Sequence, residues 1–194
     1  MLLEANIGLM LTPISQRNAP NDSWVWAADN ACFSNKWKET TWLSWLKSKD
    51  KPADALFATV PDVVADHEST LKLWNKHWQS VAELQFKPAY VIQNGAVTKD
   101  VPFHQAKAIF IGGTTDWKLS IAAQKIVVEA KKLNLWVHMG RVNSVRRLQI
   151  AQEWGCDSVD GTYVAFAPDA NAKRLVAYMN KTKQQQSLFA GMTT

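Results

Sequence analysis

Short apolar runs of strand length alternate along the chain with longer runs in which apolar residues recur at helical spacing. Several of the strand-like runs are almost wholly apolar, as expected of parallel strands buried on both faces. The strand-like runs are 6–14, 24–30, 55–62, 88–95, 108–114, 135–142 and 157–162. The helical runs are 36–49, 67–84, 115–134, 143–155 and 168–186. Repeated βα units of this kind predict a parallel sheet covered by helices.

This repeat predicts an α/β fold, and within that class a compact (β/α) barrel of the TIM type, complete or shortened. A doubly wound open sheet is the alternative, but no GxGxxG or GxxxxGK[S/T] loop follows any of the strand-like runs. No linker or change of composition interrupts the repeat. Residues 1–194 are therefore predicted to form one domain.

The bulk composition is that of an ordinary globular domain, with 47% hydrophobic and 20% charged residues in a chain of 194. No apolar run approaches the roughly 20 residues of a membrane span. The N-terminal stretch MLLEANIGLMLTP also lacks the basic segment of a signal peptide. Cys32 and Cys156 lie far apart and cannot form a cysteine-rich zinc site. We therefore expect no membrane partner and a location in a reducing cytoplasm.

The net charge of +5 and the pI of about 9.2 permit a polyanionic partner without requiring one. The ten tryptophans are more unusual. Aromatic side chains beside basic residues can stack on unpaired bases, and Trp24, Trp26 and Trp117 are candidates for this role. Packing in the core is the ordinary role of tryptophan and is the alternative for each of them.

Polar residues and glycines follow six successive strand-like runs at the end where each run stops. In a (β/α) barrel these ends meet at one mouth, where the chemistry of such proteins is found. Carboxylates there can accept hydrogen bonds from ring N–H and amino groups, and glycines let a flat ligand approach the backbone. The mouth is therefore predicted to bind a planar heterocycle. Its residues are Asp29 and Asn30; Asp62; Gln93 and Asn94; Gly112 and Gly113; Met139, Gly140 and Arg141; and Asp160.

Each of these residues also has a structural interpretation. Asp62 can be a helix cap, and the Asn-Gly and Gly-Gly pairs can be simple turns. His138 is interpreted as a structural strand residue rather than a catalyst. In the stretch GCDSVDGT the two aspartates are three residues apart, which directs Asp157 and Asp160 to opposite faces of a strand. One of them can then enter the mouth while the other forms a pair outside it.

Taken in order, the strand-end segments resemble motifs of the tRNA-guanine transglycosylase superfamily. That family includes a DNA-acting branch, which inserts 7-deazaguanine bases into phage and bacterial DNA. ADNACF at 28–33 is similar to the family's Asp-Ser-Gly-Gly-Phe motif, with Asn-Ala-Cys where the family has glycines. The later motifs are matched in order by TVPD, QNG, IGG, HMG and GCDSVDG. The resemblance spans about residues 5–165.

The resemblance implies a role for each matched residue. Asp160 takes the place of the nucleophile, and Asp29 takes the place of the aspartate that transfers protons on the purine. The base would be bound by Asp62, Gln93, Asn94, Gly112, Gly113, Met139 and Gly140. Apart from the matched motifs, the basic residues Arg141, Arg146 and Arg147 are the candidates for holding phosphates of the nucleic acid.

The implied reaction exchanges guanine for a 7-deazaguanine base through a covalent Asp–sugar intermediate. The family's cysteine–histidine zinc site has no match here, so we expect neither a metal nor a cofactor. We expect DNA rather than tRNA as the nucleic-acid partner, in a bacterial or phage-infected cell. A free 7-deazaguanine base is the second substrate, and an accessory protein is a further candidate partner. A hydrolytic glycosidase and a non-catalytic nucleic-acid-binding subunit remain the alternatives.

Overall fold

The computed structural model describes residues 7–15, 24–34, 37–163 and 167–190, with the side chains of 181–190 excepted. The first residues of the predicted runs 6–14 and 36–49 lie outside these ranges. Within them all seven strand-like runs contain a strand, each shorter than the apolar run that predicted it. The strands are β1 (Leu9–Leu11), β2 (Trp26–Ala28), β3 (Ala58–Thr59), β4 (Pro88–Ile92), β5 (Ala108–Ile111), β6 (Trp136–Met139) and β7 (Ser158–Val159).

Helices follow the strands as the helical spacing predicted, with one exception. They are α1 (Glu39–Lys47), α2 (His67–Glu83), α3 (Thr115–Lys118), α4 (Ile121–Lys132), α5 (Val145–Glu153) and α6 (Pro168–Ala190). The run 115–134 was predicted as one helix, and this is wrong. Ser120 interrupts it because its side chain accepts a hydrogen bond from the Ala123 N–H and caps a new helix.

All seven strands are parallel and lie in the order in which they occur along the chain, β1-β2-β3-β4-β5-β6-β7. Each βα unit therefore adds its strand on the same side of the preceding one. A doubly wound sheet reverses direction at a switch point, and no such point occurs in this order. The α/β fold and its parallel sheet are confirmed, and the doubly wound alternative is excluded for the described strands.

The sheet is curled. Neighbouring strands lie about 4.8 Å apart, so β3 and β6 would be separated by about 14 Å in a flat sheet. The ring of Phe57, directly before β3, nevertheless lies 5.1 Å from the ring of His138 on β6. Phe57 also contacts Phe110 of β5, at 6.2 Å between ring centroids. These side chains fill the concave side of a curved sheet, as in a partial (β/α) barrel.

Two apolar clusters divide the side chains according to the face of the sheet. The smaller one lies on the concave side and contains Ala27, Phe57, Ala89 and Ala108, with Phe110 and Trp136 packed against it. The larger one lies between the sheet and the helices, and it includes the fully buried Trp42, Trp74, Tyr90 and Met139. Trp26 also belongs to this outer cluster and packs edge-on against Phe86. It is therefore unavailable for stacking on a base.

No helix of the described residues combines the length and the apolar character that crossing a bilayer requires.

Candidate active site

The period-two alternation of the strands determines which polar residues reach the concave side. Ala27 faces that side, and Asp29 follows two residues later. By the same alternation Gln93 continues from Ala89, and Gly112 continues from Ala108. Because the strands are parallel, their carboxyl ends meet at one edge of the sheet. The structure therefore brings the predicted strand-end residues together at the mouth of the curved sheet.

Asp62 lies at the centre of a hydrogen-bonded network in this mouth. Its Oδ1 accepts a 2.9 Å hydrogen bond from Asn30 Nδ2, and its Oδ2 accepts a 2.7 Å hydrogen bond from Gln93 Nε2. Burial raises the pKa of Asp62, although the Asn30 and Gln93 amides and the charge of Arg141 oppose the shift. The cap of α2 is Asp66, whose side chain accepts from Ser69 N–H. The helix-cap interpretation of Asp62 is therefore wrong.

Gln93 is fixed by the backbone of two neighbouring loops. Its Oε1 accepts 2.8 Å hydrogen bonds from both the Ala65 and the Gly113 N–H groups. A Cβ atom on Gly112 would lie 2.8 Å from Gln93 Nε2, so only glycine leaves room for this arrangement. The Gly-Gly pair is thus more than a turn, because it makes space for the buried amide and donates to it.

Asp29 follows β2 and has few stabilising partners. Its Oδ1 accepts a 3.2 Å hydrogen bond from the hydroxyl of Thr59, which is itself buried. Burial, together with the negative charges of Asp62 and Asp160, raises the pKa of Asp29 to about 6. A carboxyl group with this pKa can both give up and accept a proton near neutral pH.

Asp160 has the opposite electrostatic environment. Its Oδ1 accepts a 2.6 Å hydrogen bond from the Arg141 N–H and lies 3.5 Å from His138 Nε2. Burial raises the pKa of Asp160, but His138, the Arg141 N–H and the Lys118 ammonium group outweigh it and hold the pKa below its ordinary value. Asp160 is therefore an anion at neutral pH.

Arg141 lies at the mouth, where its position after β6 predicted it, and its guanidinium group is held there by other residues of the protein. Its backbone has φ of 57°, in the left-handed region. The guanidinium group donates to the Gly113 carbonyl and lies 4.6 Å from the centre of the Phe33 ring. Arg141 thus links the ends of β5 and β6 and contributes positive charge near Asp62.

The two other arginines lie farther along the same segment. Arg147 is half-buried, and its Nη1 donates to the Arg141 carbonyl at 3.3 Å. Arg146 is exposed on α5. Of the three predicted phosphate ligands, Arg146 presents the most accessible guanidinium group.

Several predicted base-binding residues have mainly structural positions. Asn94 joins two loops, since its Oδ1 accepts from Thr114 N–H and its Nδ2 donates to the Thr114 hydroxyl. The side chain of Met139 is fully buried in the outer cluster, away from the concave side. The prediction that the Met139 side chain binds the base is therefore wrong. Gly140 lies under the mouth, where a Cβ would meet the Phe110 ring at 2.6 Å.

Asp157 lies outside the mouth, as the three-residue spacing predicted for one of the two aspartates. Its carboxylate forms a 2.7 Å ion pair with Lys131 of α4. It also accepts a 2.7 Å hydrogen bond from the Val137 N–H. Asp157 therefore connects the start of β7 to α4 and β6 through these two contacts, whereas Asp160 faces the mouth.

Lys118 is the most unexpected member of the site. It is 1% exposed, and its Nζ donates a 2.6 Å hydrogen bond to the Gly140 carbonyl. Burial, with the positive charges of Arg141 and Arg147, lowers the pKa of Lys118 to about 8, while Asp160 opposes the shift. The sequence predicted a continuous helix over 115–134 and gave Lys118 no role. Its role depends on the helix break two residues later.

Thr59 and His138 were also absent from the predicted site, and Asn30 was predicted at the mouth without a role of its own. The alternation that places Trp136 on the concave side places His138 there too, so a stricter application of period two would have found it. The contacts of Asn30 had no such signal, because its side chain turns back from the loop after β2 toward Val60 and Asp62.

Within the described part of the chain, no group of three or more His, Cys, Asp or Glu side chains could hold a metal ion. Comparison with models of known protein families finds no match, and comparison with curated protein sequences finds none either. The function is therefore inferred from the chemistry of the site.

Proposed function

We propose that this chain is a base-exchanging transglycosylase of the tRNA-guanine transglycosylase type, acting on a guanine nucleotide in nucleic acid, and that its curved sheet is a compact (β/α) barrel of the TIM type. The observation that carries this proposal is that two carboxyl groups in one mouth have opposite pKa shifts. Asp160 is held as an anion, as a nucleophile requires, whereas the pKa of Asp29 is raised to about 6, as proton transfer requires.

In the first half-reaction the Asp160 carboxylate attacks the anomeric carbon of the guanosine nucleotide. A carbon–oxygen bond forms, the glycosidic carbon–nitrogen bond breaks, and its electron pair leaves with the guanine. Protonated Asp29 supplies the proton that the departing base needs. In the second half-reaction the incoming 7-deazaguanine returns a proton to Asp29 and attacks the same carbon, which releases Asp160. Two displacements retain the configuration of the sugar.

Asp62 and Gln93 are suited to reading the edge of the base. Each Asp62 oxygen accepts one hydrogen bond from the protein and has further lone-pair capacity for a ring N–H and an amino group. Gln93 can donate to a purine carbonyl with the second hydrogen of its amide. Since both side chains are already oriented by neighbouring groups, little ordering is needed when a base binds.

The rim of the mouth supports a nucleic-acid substrate with an unpaired target base. Five large apolar side chains in the loops after β1 to β4 are between 38% and 63% exposed. They are Ile14, Phe33, Val63, Val64 and Val97. Apolar and aromatic side chains in such positions contact bases that are single-stranded or turned out of a duplex. We favour DNA as the polymer, in line with the sequence resemblance.

The proposal is tested by withholding the incoming base. A single-stranded DNA containing guanine should form a covalent adduct that survives denaturation, and the matched RNA should form less. The adduct should persist in Asp157→Asn and be absent in Asp160→Asn. These two variants make the same chemical change on opposite sides of β7. An adduct that persists in Asp160→Asn would refute the assignment of the nucleophile.

Adding a 7-deazaguanine base should then resolve the adduct and leave that base in the DNA, as nucleoside mass spectrometry would show. Abasic sites formed without any acceptor would instead identify a hydrolytic glycosidase. Tight binding with neither exchange nor abasic sites would identify a non-catalytic binding protein. Both outcomes would refute the transglycosylase.

Binding of the polymer should depend on Arg146. Arg146→Ala should weaken binding of single-stranded DNA and lower the slope of log K against log salt by about 0.7, the value for one phosphate contact. Lys125→Ala removes another exposed positive charge, on α4, and is the matched control. Equal changes in the two variants would show that the effect is one of net charge only.

A further inference from the structure

A chain of polar contacts runs from Trp136 through Ser158 to His138, and ends at Asp160. Trp136 Nε1 donates a 2.8 Å hydrogen bond to Ser158 Oγ. His138 Nδ1 lies 2.8 Å from the same oxygen. His138 Nε2 lies 3.5 Å from Asp160 Oδ1. All four residues belong to β6, to β7 or to the position directly after β7.

The chemistry of these groups fixes where the ring proton of His138 lies. The indole N–H can only donate, so Ser158 Oγ is its acceptor and its own hydroxyl hydrogen is free for His138 Nδ1. A neutral His138 then carries its hydrogen on Nε2, facing Asp160. In the other neutral tautomer a lone pair on Nε2 would face the carboxylate, which is repulsive. An imidazolium ring would also direct an N–H at Asp160, so both favourable states supply a donor.

The ring cannot easily turn away from this direction. His138 is 3% exposed and packs against the rings of Phe110 and Phe57, at 4.7 and 5.1 Å between centroids. Its Nε2 is buried and has no partner at hydrogen-bonding distance among the described residues. An unpaired buried donor is costly, and a small movement of the His138 ring toward Asp160 gives Nε2–H an acceptor. A purely structural role would explain why the His138 ring is buried, but not why its Nε2 faces a carboxylate.

The two oxygens of Asp160 are therefore unequal. Oδ1 accepts the 2.6 Å hydrogen bond from the Arg141 N–H and faces His138. No group in the described ranges donates a hydrogen bond to Oδ2. We infer that His138, held by Ser158 and Trp136, is a positioning residue that fixes Asp160 through Oδ1, so that Oδ2 is the atom that attacks the sugar. This inference rests on the proposed function.

Kinetics of adduct formation test the positioning role. His138→Phe keeps the aromatic packing and removes both ring nitrogens. It should slow adduct formation roughly 100-fold, the scale of a misplaced reacting group, while the Kd for DNA changes less than about twofold. His138→Gln retains an amide N–H in place of Nε2 and should restore part of the rate. A loss confined to DNA binding, or a Gln variant no faster than Phe, would overturn the inference.

A double-mutant cycle separates positioning from general packing. Ser158→Ala alone should slow adduct formation about tenfold, in the range seen when an outer hydrogen-bond partner is removed. In the His138→Phe background the same change should have no further effect, because Ser158 acts only through His138. Additive losses would show that the two residues act separately, and would overturn the relay. Ser158→Ala is a small change, so its own tenfold loss can be measured even if His138→Phe does not fold, and an unchanged rate in that variant would overturn the inference.

Nitrogen NMR of the imidazole tests the contact without any reaction. The chain has four histidines, and the His138→Phe spectrum identifies the signals of His138. We expect a proton on Nε2 in the wild type and a shift of the Nε2 signal in Asp160→Asn. A neutral ring protonated on Nδ1 would overturn the inference whatever the activity. The expected spectrum in a protein that forms no adduct would instead refute the proposed function and leave the hydrogen bond established.

Discussion

Replacing Asp29 by Asn should stabilise the protein, and the gain should grow with pH. The pKa of Asp29 is about 6 in the folded protein against 3.8 for the unperturbed group. Between these values the folded state holds a proton that the unfolded state has lost, so the unfolding free energy falls as pH rises. For a single group with these pKa values, the wild type loses about 1 kcal/mol by pH 4.5 and about 3 kcal/mol by pH 8.

An asparagine keeps an oxygen that can accept the Thr59 hydroxyl but carries no charge to repel Asp62 and Asp160. Urea unfolding of the wild type and Asp29→Asn at pH 4.5 and pH 8 should therefore show a difference about 2 kcal/mol larger at the higher pH. Asp157→Asn is the control, since it removes an ion pair and should lower stability by up to about 1 kcal/mol. An Asp29→Asn variant that is less stable than the wild type at pH 8, or equally shifted at both pH values, would refute the electrostatic account.

Three further outcomes follow from the same site. Because the pKa of Lys118 is about 8 in the folded protein against 10.5 for the unperturbed group, the unfolding free energy of the wild type should rise by about 3 kcal/mol between pH 8 and 10.5. Lys118→Met should abolish this rise, which urea unfolding at several pH values measures. Gly112→Ala should displace Gln93 and lower the unfolding free energy by about 1–3 kcal/mol in urea unfolding. Gly155→Ala is the control: its new Cβ meets no other atom, so it should lower the unfolding free energy only by the roughly 1–2 kcal/mol that a left-handed backbone costs. Asp62→Asn should weaken guanine selectivity by about 1–3 kcal/mol in competition between bases, and unchanged selectivity would remove Asp62 from base reading.

The alternation of side chains and the parallel order made much of the site predictable. Once β2, β4 and β7 are recognised as parallel strands, their carboxyl ends must meet, and Asp29, Gln93 and Asp160 come with them. No contact information is needed for this step. The opposite directions of Asp157 and Asp160 followed from their spacing in the same way. These predictions depend on regular backbone, where geometry repeats from residue to residue.

The features that the sequence did not reveal depend mostly on irregular backbone. Arg141 enters the mouth because its backbone is left-handed, a conformation that nothing in HMGR signals for an arginine. Lys118 is buried because a helix that looked continuous ends there and begins again at Ile121. Met139 failed differently, since strand alternation already directs it to the outer face. Local periodicity thus located the carboxylates but not two neighbouring cations, since the charge of Arg141 acts on Asp62 and that of Lys118 acts on Asp160.

The groups around each carboxylate decide how the three differ. Asp29, Asp62 and Asp160 are close enough to affect one another, and three identical neighbouring anions would all resist ionisation. The difference comes from the end of β6 and the loop beside it, which bring His138, the Arg141 N–H and Lys118 to Asp160 alone. Asp29, at the end of β2, is stabilised within the described ranges by the Thr59 hydroxyl and a backbone hydrogen bond of Ala31. An anion and a proton carrier therefore coexist at one pH because donors are unevenly distributed around the mouth. Changes at the β6 end should alter the reactivity of Asp160 before they alter the binding of a base.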